Sequence, residues 1–145
     1  WNGSVNRDNT LARWAEALQN DFRARMEWCV KPYNQANHHP VAIVNRPGNG
    51  ILYIDTRPGQ MVKMDASASF DPDGRNLNVD WFIYPEAGTC REPVQLEISE
   101  TGMLAYLTAP VVSKPETIHV VFSLHNDGEP PLYSYRRVVI QVNPK

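Results

Sequence analysis

Two hydrophobic periodicities divide the chain. Over residues 9–29, NTLARWAEALQNDFRARMEWC, the positions Leu11, Trp14/Ala15, Leu18, Phe22, Met26 and Cys29 recur at steps of three and four. That spacing lays them on one face of a helix. Arg13, Glu16, Arg23 and Glu27 fall mostly on the other side, Asp8, Asn9 and Thr10 are candidate N-caps, and Pro32 closes the segment. A helix patterned in this way needs a surface to pack against.

After the polar connector YNQANHHP the period shortens. VAIV, ILYID, MVKMD, NVDWFIY, VQLEI, LAYLTA, TIHVVFSLH and SYRRVVIQV are short β-branched or aromatic runs. RPGNG, RPGQ, DPDG, EAGT, SETG, SKPE and NDGEPP separate them, each carrying Gly, Pro, Asn or Asp. Runs at this spacing, with turn chemistry between them, predict an all-β sandwich. In TIHVVFSLH, Ile118, Val120, Phe122 and Leu124 alternate with His119, Val121, Ser123 and His125, so one set faces a core and the other does not. The predicted architecture is a helix and linker at residues 1–40, then an antiparallel sandwich of seven or eight strands at 41–145.

Composition narrows the partners. With 145 residues, 42% hydrophobic and 21% charged, the chain has the makeup of a folded domain. A net charge of −2, without a basic run, gives no electrostatic reason to expect nucleic acid. No apolar stretch approaches the ~20 residues that cross a bilayer. The polar opening WNGSVNRDNT, with neither a leader methionine nor a signal-peptide pattern, reads as that of a processed or excised piece.

Four aspartates crowd the stretch DASASFDPDGRNLNVDW: Asp65, Asp71, Asp73 and Asp80. With the flanking strands in place, Asp71-Pro72-Asp73-Gly74 fits a turn. Asp71 can accept backbone N–H bonds, Pro72 presets φ, and Gly74 tolerates positive φ. The second reading makes Asp71 and Asp73 ligands of a calcium ion, with Asp65 or Asp80 approaching from neighbouring strands.

This stretch, continued to DASASFDPDGRNLNVDWFIY, resembles the signature of PKD-like and related immunoglobulin-like modules of exported bacterial proteins. In these, D-A-S-x-S-x-D-P-D-G leads into a strand with an aromatic where Trp81 stands. Further, RWAEALQNDFRARMEWCV, ANHHPVAIVN and NDGEPPLYSYRRVVIQV resemble the C-terminal part of the Sde182-type cellulose-binding protein family, over nearly the whole chain. The resemblance implies an immunoglobulin-like (PKD-like) module joined to a nucleoside-hydrolase-like domain, with residues 1–40 the end of, or bridge from, that domain. It implies a protein that is secreted, periplasmic or at the cell surface, with a polysaccharide such as cellulose, or the upstream domain, as partner.

No HExxH, GxSxG or P-loop is present, and no cysteine has a His partner by motif. His119 and His125 share one strand face but stand ~20 Å apart along an extended strand, too far to ligate one metal. No catalytic residues are assigned. Sugar binding would need aromatics that the core does not consume. Trp81 is expected in the core, and Trp14 and Trp28 between helix and sandwich. That leaves Tyr84, Tyr133 and Tyr135 as the candidate ligand-binding residues. Cys29 and Cys90 are read either as one disulfide or as two separate thiols.

Overall fold

The computed structural model describes residues 7–144, with side chains of helix α1 described from Ala12 onward. Helix α1 runs Arg7–Trp28, and a single 3-10 turn follows at Tyr33–Gln35. Positions 8–10 are already helical, so Asp8, Asn9 and Thr10 do not stand at its start. What precedes Arg7, and the side chain of Leu11, lie outside the described residues.

Among the described residues seven strands follow: β1 Leu52–Thr56, β2 Met61–Asp65, β3 Leu77–Ile83, β4 Glu97–Ile98, β5 Leu104–Thr108, β6 Glu116–Asn126 and β7 Tyr133–Val142. They form a four-stranded sheet in the order β1-β7-β6-β3 and a three-stranded sheet in the order β2-β5-β4. The expected two-sheet β architecture with one N-terminal helix is therefore what the chain adopts. Two expectations change. The run VAIV forms no strand, only bridges from Val41 to Phe70 and from Val44 to Arg46. And the sheet is not wholly antiparallel: β1 runs parallel to β7, with Leu52 opposite Val138 and Thr56 opposite Val142. A parallel partner must be reached by a crossover, and β1 meets β7 only after the chain has built the other five strands.

Alternation holds where it was clearest. Ile118, Val120, Phe122 and Leu124 of β6 face the core with Val138, Ile140 and Val142 of β7 and with Met64, Ala105 and Leu107 of the second sheet. Trp81 is buried there, its ring 4.5 Å from that of Phe122, and its indole N–H donates to the Gly102 carbonyl at 2.8 Å. Burying the ring while satisfying its one donor is what makes a core tryptophan affordable.

Helix α1 covers the outer face of the four-stranded sheet, and here the sequence pattern misleads. Its contact face is Trp14, Ala17, Asp21, Ala24 and Trp28, all buried or half-buried. The predicted stripe is exposed instead: Leu18 at 61%, Phe22 at 67% and Met26 at 58%. The sheet supplies the reason. Its outer face presents Phe82 and Tyr135, whose rings lie 6.1 and 5.0 Å from that of Trp14. At the far end the Trp28 indole donates to the Asn37 carbonyl at 2.8 Å. Two tryptophans anchor the helix at either end, and the space between them fits alanine.

The connector is pinned to the sandwich by a buried polar network. Asn126 Nδ2 lies 2.9, 2.8 and 2.9 Å from Asn37 Oδ1, the His38 carbonyl and Asp71 Oδ2. Its Oδ1 accepts from Asn37 Nδ2 at 3.1 Å and from the Leu132 amide at 3.0 Å. Asn37 Nδ2 also reaches the Pro130 carbonyl at 2.7 Å. Gly128 passes so close that an added Cβ would stand 2.2 Å from Asn37 Nδ2.

The aspartate-rich stretch is a turn built as its chemistry predicts. Asp71 Oδ1 accepts the amides of Asp73 and Arg75, at 2.8 and 3.1 Å, and Gly74 has φ +70°. Asp73 takes the His38 amide and ring Nδ1, each at 2.8 Å. Partial burial pushes the Asp73 carboxyl up, but the His38 bonds together with the nearby positive charge outweigh it and hold the group below the usual carboxylate range. Asp65, some distance along the chain, is lowered to about 2, first by the Ser67 hydroxyl and then by Lys63.

Candidate functional site

The outer face of β7 and the helix that covers it enclose a groove of about 550 Å³. Alternation along β7 puts Tyr133, Tyr135 and Arg137 on the same face, away from the core. Tyr84, just past the end of β3, joins them from the neighbouring edge, and Trp14, Leu18 and Asp21 line the groove from the helix. His39 and the loop Asn49-Gly50-Ile51 complete it. All three tyrosines singled out by sequence therefore meet in one place.

The rings of Tyr133 and Tyr135 are near-parallel, 17° apart with centroids at 6.3 Å, and His125 stacks on Tyr133 at 4.7 Å. Trp14 meets Tyr135 edge-on. Tyr135 keeps 38% of its surface exposed. The result is an aromatic floor with one upright wall, not a flat external platform.

Polar groups ring it. His39 Nδ1 donates to the Tyr133 carbonyl at 2.8 Å, and its Nε2 faces Asp21 Oδ1 at 2.9 Å. The Arg25 guanidinium, and after it His39, hold the Asp21 carboxyl below the usual range despite some burial. Tyr133 donates to Glu16 Oε1 at 3.1 Å. Burial pushes the Tyr135 phenol up to about 12 and raises that of Tyr133, with Glu16 adding to the latter. Both phenols therefore stay protonated near neutral pH; the Tyr133 proton goes to Glu16, which leaves its oxygen to accept from a hydroxyl ligand, while Tyr135 can donate to one.

Arg137 Nε donates to His119 Nδ1 at 3.0 Å, and its Nη2 closes on the same nitrogen. That nitrogen must be unprotonated to accept. Burial, and behind it the Arg137 charge, lower the His119 pKa, so the folded state disfavours the imidazolium. The unfolded chain then binds more protons below about pH 6.5, and stability contributed above that value falls as the pH drops through it. Urea unfolding at pH 7.5 and 5.5 is expected to show the loss, and His119→Gln, which retains an acceptor, should flatten it. An equal slope in the two proteins would show that His119 is not the titrating group.

The structure also separates residues that were grouped by sequence. His38 is taken up by the Asp73 turn, and His119 and His125 serve different neighbours. Cys29 is a free thiol exposed in the turn just past helix α1, and Cys90 a free, half-buried thiol in a separate cleft with Gly88 and His119, so the disulfide alternative is not realised. Asp71 and Asp73 give all four carboxylate oxygens to protein donors. Among the described residues no third carboxylate, histidine or cysteine joins them in a metal-binding group. A calcium ion takes six to eight oxygens, and this donor set does not fit one. Sequence reasoning did not place Trp14, Asp21, His39, Asn49 or Arg137 at the groove. Only Arg137 carried a signal, its i+2 spacing from Tyr135.

Fold and groove together define a two-sheet β-sandwich module with a helix laid on its outer face. The chain belongs to the family described as the C-terminal domain of the cellulose-binding protein Sde0182, which matches residues 61–142. Among solved structures it is similar to a nucleoside hydrolase-related hypothetical protein from Saccharophagus degradans that is associated with carbohydrate metabolism. The two share 40% identity and a TM-score of 0.85 over 90% of this chain. The chain spans 32% of that protein's length. Weaker likeness, at a TM-score of 0.40, extends to a 2,6-sialyltransferase from Photobacterium (13% identity over 66% of this chain and 18% of that one). Mouse protocadherin PcdhgC3 EC1-3 gives the same score, with 21% identity over 78% of this chain and 35% of that one. Comparison with curated proteins gives no match. No described helix is long and apolar enough to cross a membrane.

Proposed function

We propose that this chain is a non-catalytic accessory module of an exported protein, that it binds a β-glucan chain of the cellulose type, and that a nucleoside-hydrolase-related domain accompanies it in the same polypeptide. The observation that carries the binding reading is the convergence of Tyr84, Tyr133, Tyr135 and Trp14 on one groove with polar groups at its edge. Sugar rings offer C–H faces to aromatic rings and hydroxyls to the polar groups around them, and a concave, mostly apolar site with few polar contacts is the usual form of a small-ligand pocket. Family membership and the carbohydrate association of the Saccharophagus protein support the same class of ligand.

The shape selects among cellulosic ligands. Trp14 stands edge-on to Tyr135, so the flat surface of a crystalline polysaccharide cannot lie across the tyrosines. A single chain can enter between helix and sheet. Soluble cello-oligosaccharides and amorphous cellulose are the expected ligands, and crystalline cellulose a poorer one.

Isothermal titration with cellohexaose tests this. Tyr135→Ala is expected to weaken binding about tenfold, the equivalent of ~1.4 kcal/mol, and to lower the thermal unfolding midpoint as well, because the ring packs edge-on against Trp14; the titration is therefore run well below that midpoint. Absence of heat with cellohexaose, together with no retention on amorphous cellulose, would remove the glycan reading.

A further inference from the structure

Among the described residues nothing covers the row Leu18, Phe22 and Met26. These side chains are spaced i, i+4, i+8, so they form one continuous line about 12 Å long on the helix surface. Each is more than half exposed. Val30, 82% exposed, and Tyr33, 75% exposed, extend the apolar surface past the helix end. Arg23, Arg25 and Glu27 flank it with charge. Contiguous large apolar side chains with a polar rim mark a surface that another body covers.

We propose that this row is the seat of the nucleoside-hydrolase-related domain, and that the helix is clamped between that domain on one side and the sandwich on the other. This rests on the reading, made above, that such a domain shares the polypeptide. Two observations choose this occupant over a second copy of the chain. The first is extent. A stable dimer buries about 800 Å² on each partner, whereas a row of this kind offers a few hundred. A domain tethered in the same polypeptide needs far less, because the tether supplies an effective concentration in the millimolar range. The second is which part of the chain is shared. The family match begins at residue 61, beyond the helix. The match to the Saccharophagus protein covers 90% of the chain, more than the sandwich alone contains, so it takes in helix-and-linker residues as well. The other two thirds of that protein lie outside the match. The helix thus travels with the longer protein.

The inner face is fixed firmly enough to transmit a position. Besides Trp14 and Trp28, Asp21 is bonded to His39, Arg13 to Glu86 at 3.1 Å and Arg23 to Glu129 at 2.6 Å. Leu18 belongs both to the row and to the rim of the aromatic groove. A domain seated on the row therefore borders the groove, and a glycan held there lies beside it.

Cys29 supplies a native probe. It is an exposed thiol in the turn just past the helix end, three residues on from Met26. Its alkylation by a small maleimide is to be timed in the full-length protein and in the 145-residue chain, with Cys90 as the internal reference. The expected result is at least tenfold slower reaction of Cys29 in the full-length protein. Phe22→Glu, or independently Met26→Lys, should restore the fast rate in the full-length protein without changing the unfolding midpoint of the 145-residue chain, where both residues are exposed. Equal rates in the two proteins overturn the proposal. So does protection in the 145-residue chain that disappears on dilution, which would assign the row to a second copy. If the full-length polypeptide encodes no hydrolase-related domain, the underlying reading fails by sequencing alone, before any rate is measured. Cellohexaose binding is scored separately and does not depend on either result.

Discussion

Replacing Asn126 with leucine is expected to lower the unfolding free energy by about 3–4 kcal/mol, a large share of what a domain of this size possesses. The side chain is wholly buried, and every bond that it makes goes to a group which is itself enclosed or structurally committed. Leucine has the same branching and the same number of side-chain heavy atoms, so the loss would not come from a cavity. It would come from the orphaned partners: the Leu132 amide, the Asn37 amide group, the His38 carbonyl and the Asp71 carboxylate. An unsatisfied buried polar group costs about 1–3 kcal/mol, and some of these can regain water at the edge of the site. Urea unfolding gives the value directly. The pair Asn37 and Asn126 should also be strongly non-additive, with the double leucine variant losing less than the two single variants together. Full additivity, or a loss below 1 kcal/mol for Asn126→Leu, would mean that the network is not what holds the connector.

The second large effect has the opposite sign. Arg136 is 4% exposed, and among the described residues its Nε and Nη1 have no hydrogen-bond partner. It lies on the core-facing side of β7, paired across the sheet with Phe122 and roofed by the loop that carries Gly48, whose backbone at φ +125° passes close to the guanidinium. Burial, and after it the charge of Arg46, lower its pKa from the ordinary arginine value. Removing a charge from water costs several kcal/mol when no counter-charge compensates it. Arg136→Met keeps an unbranched apolar stem and discards the charge. It is expected to raise stability by about 2 kcal/mol, read as a higher urea midpoint at unchanged slope. A fall in stability would show that the guanidinium holds the loop over residues 45–50 in place.

How far the chain could be read from its letters depends on the range of the interaction. The Asp71–Gly74 turn was legible residue by residue, because its bonds close within four positions. So was the core face of β6, set by the period of a strand, and the burial of Trp81. The packing face of α1 was not. Periodicity ranks residues by size and hydrophobicity, and by that measure Leu18, Phe22 and Met26 outrank Ala17 and Ala24. The choice was made by the sheet, whose outward aromatics leave room for alanine between two tryptophans. The parallel β1–β7 pairing was hidden for a related reason, since alternation says which way a side chain points and nothing about which strand lies beside it. Of the groove, the three tyrosines were visible as aromatics left over by the core. Trp14, Asp21, His39 and Arg137 became part of it only when helix, linker and β7 were brought together across more than a hundred positions.

The parallel pairing of β1 and β7 also has a mechanical consequence. The chain enters the sheet at Leu52 and leaves it at Val142, and because the two strands run the same way these points lie at opposite ends of the shared ladder. Tension applied between the two ends of the chain, once it reaches β1, pulls along the ladder and not across it. The interstrand bonds from Leu52–Val138 to Thr56–Val142 are then loaded together, whereas a hairpin pulled at its open end surrenders them one at a time.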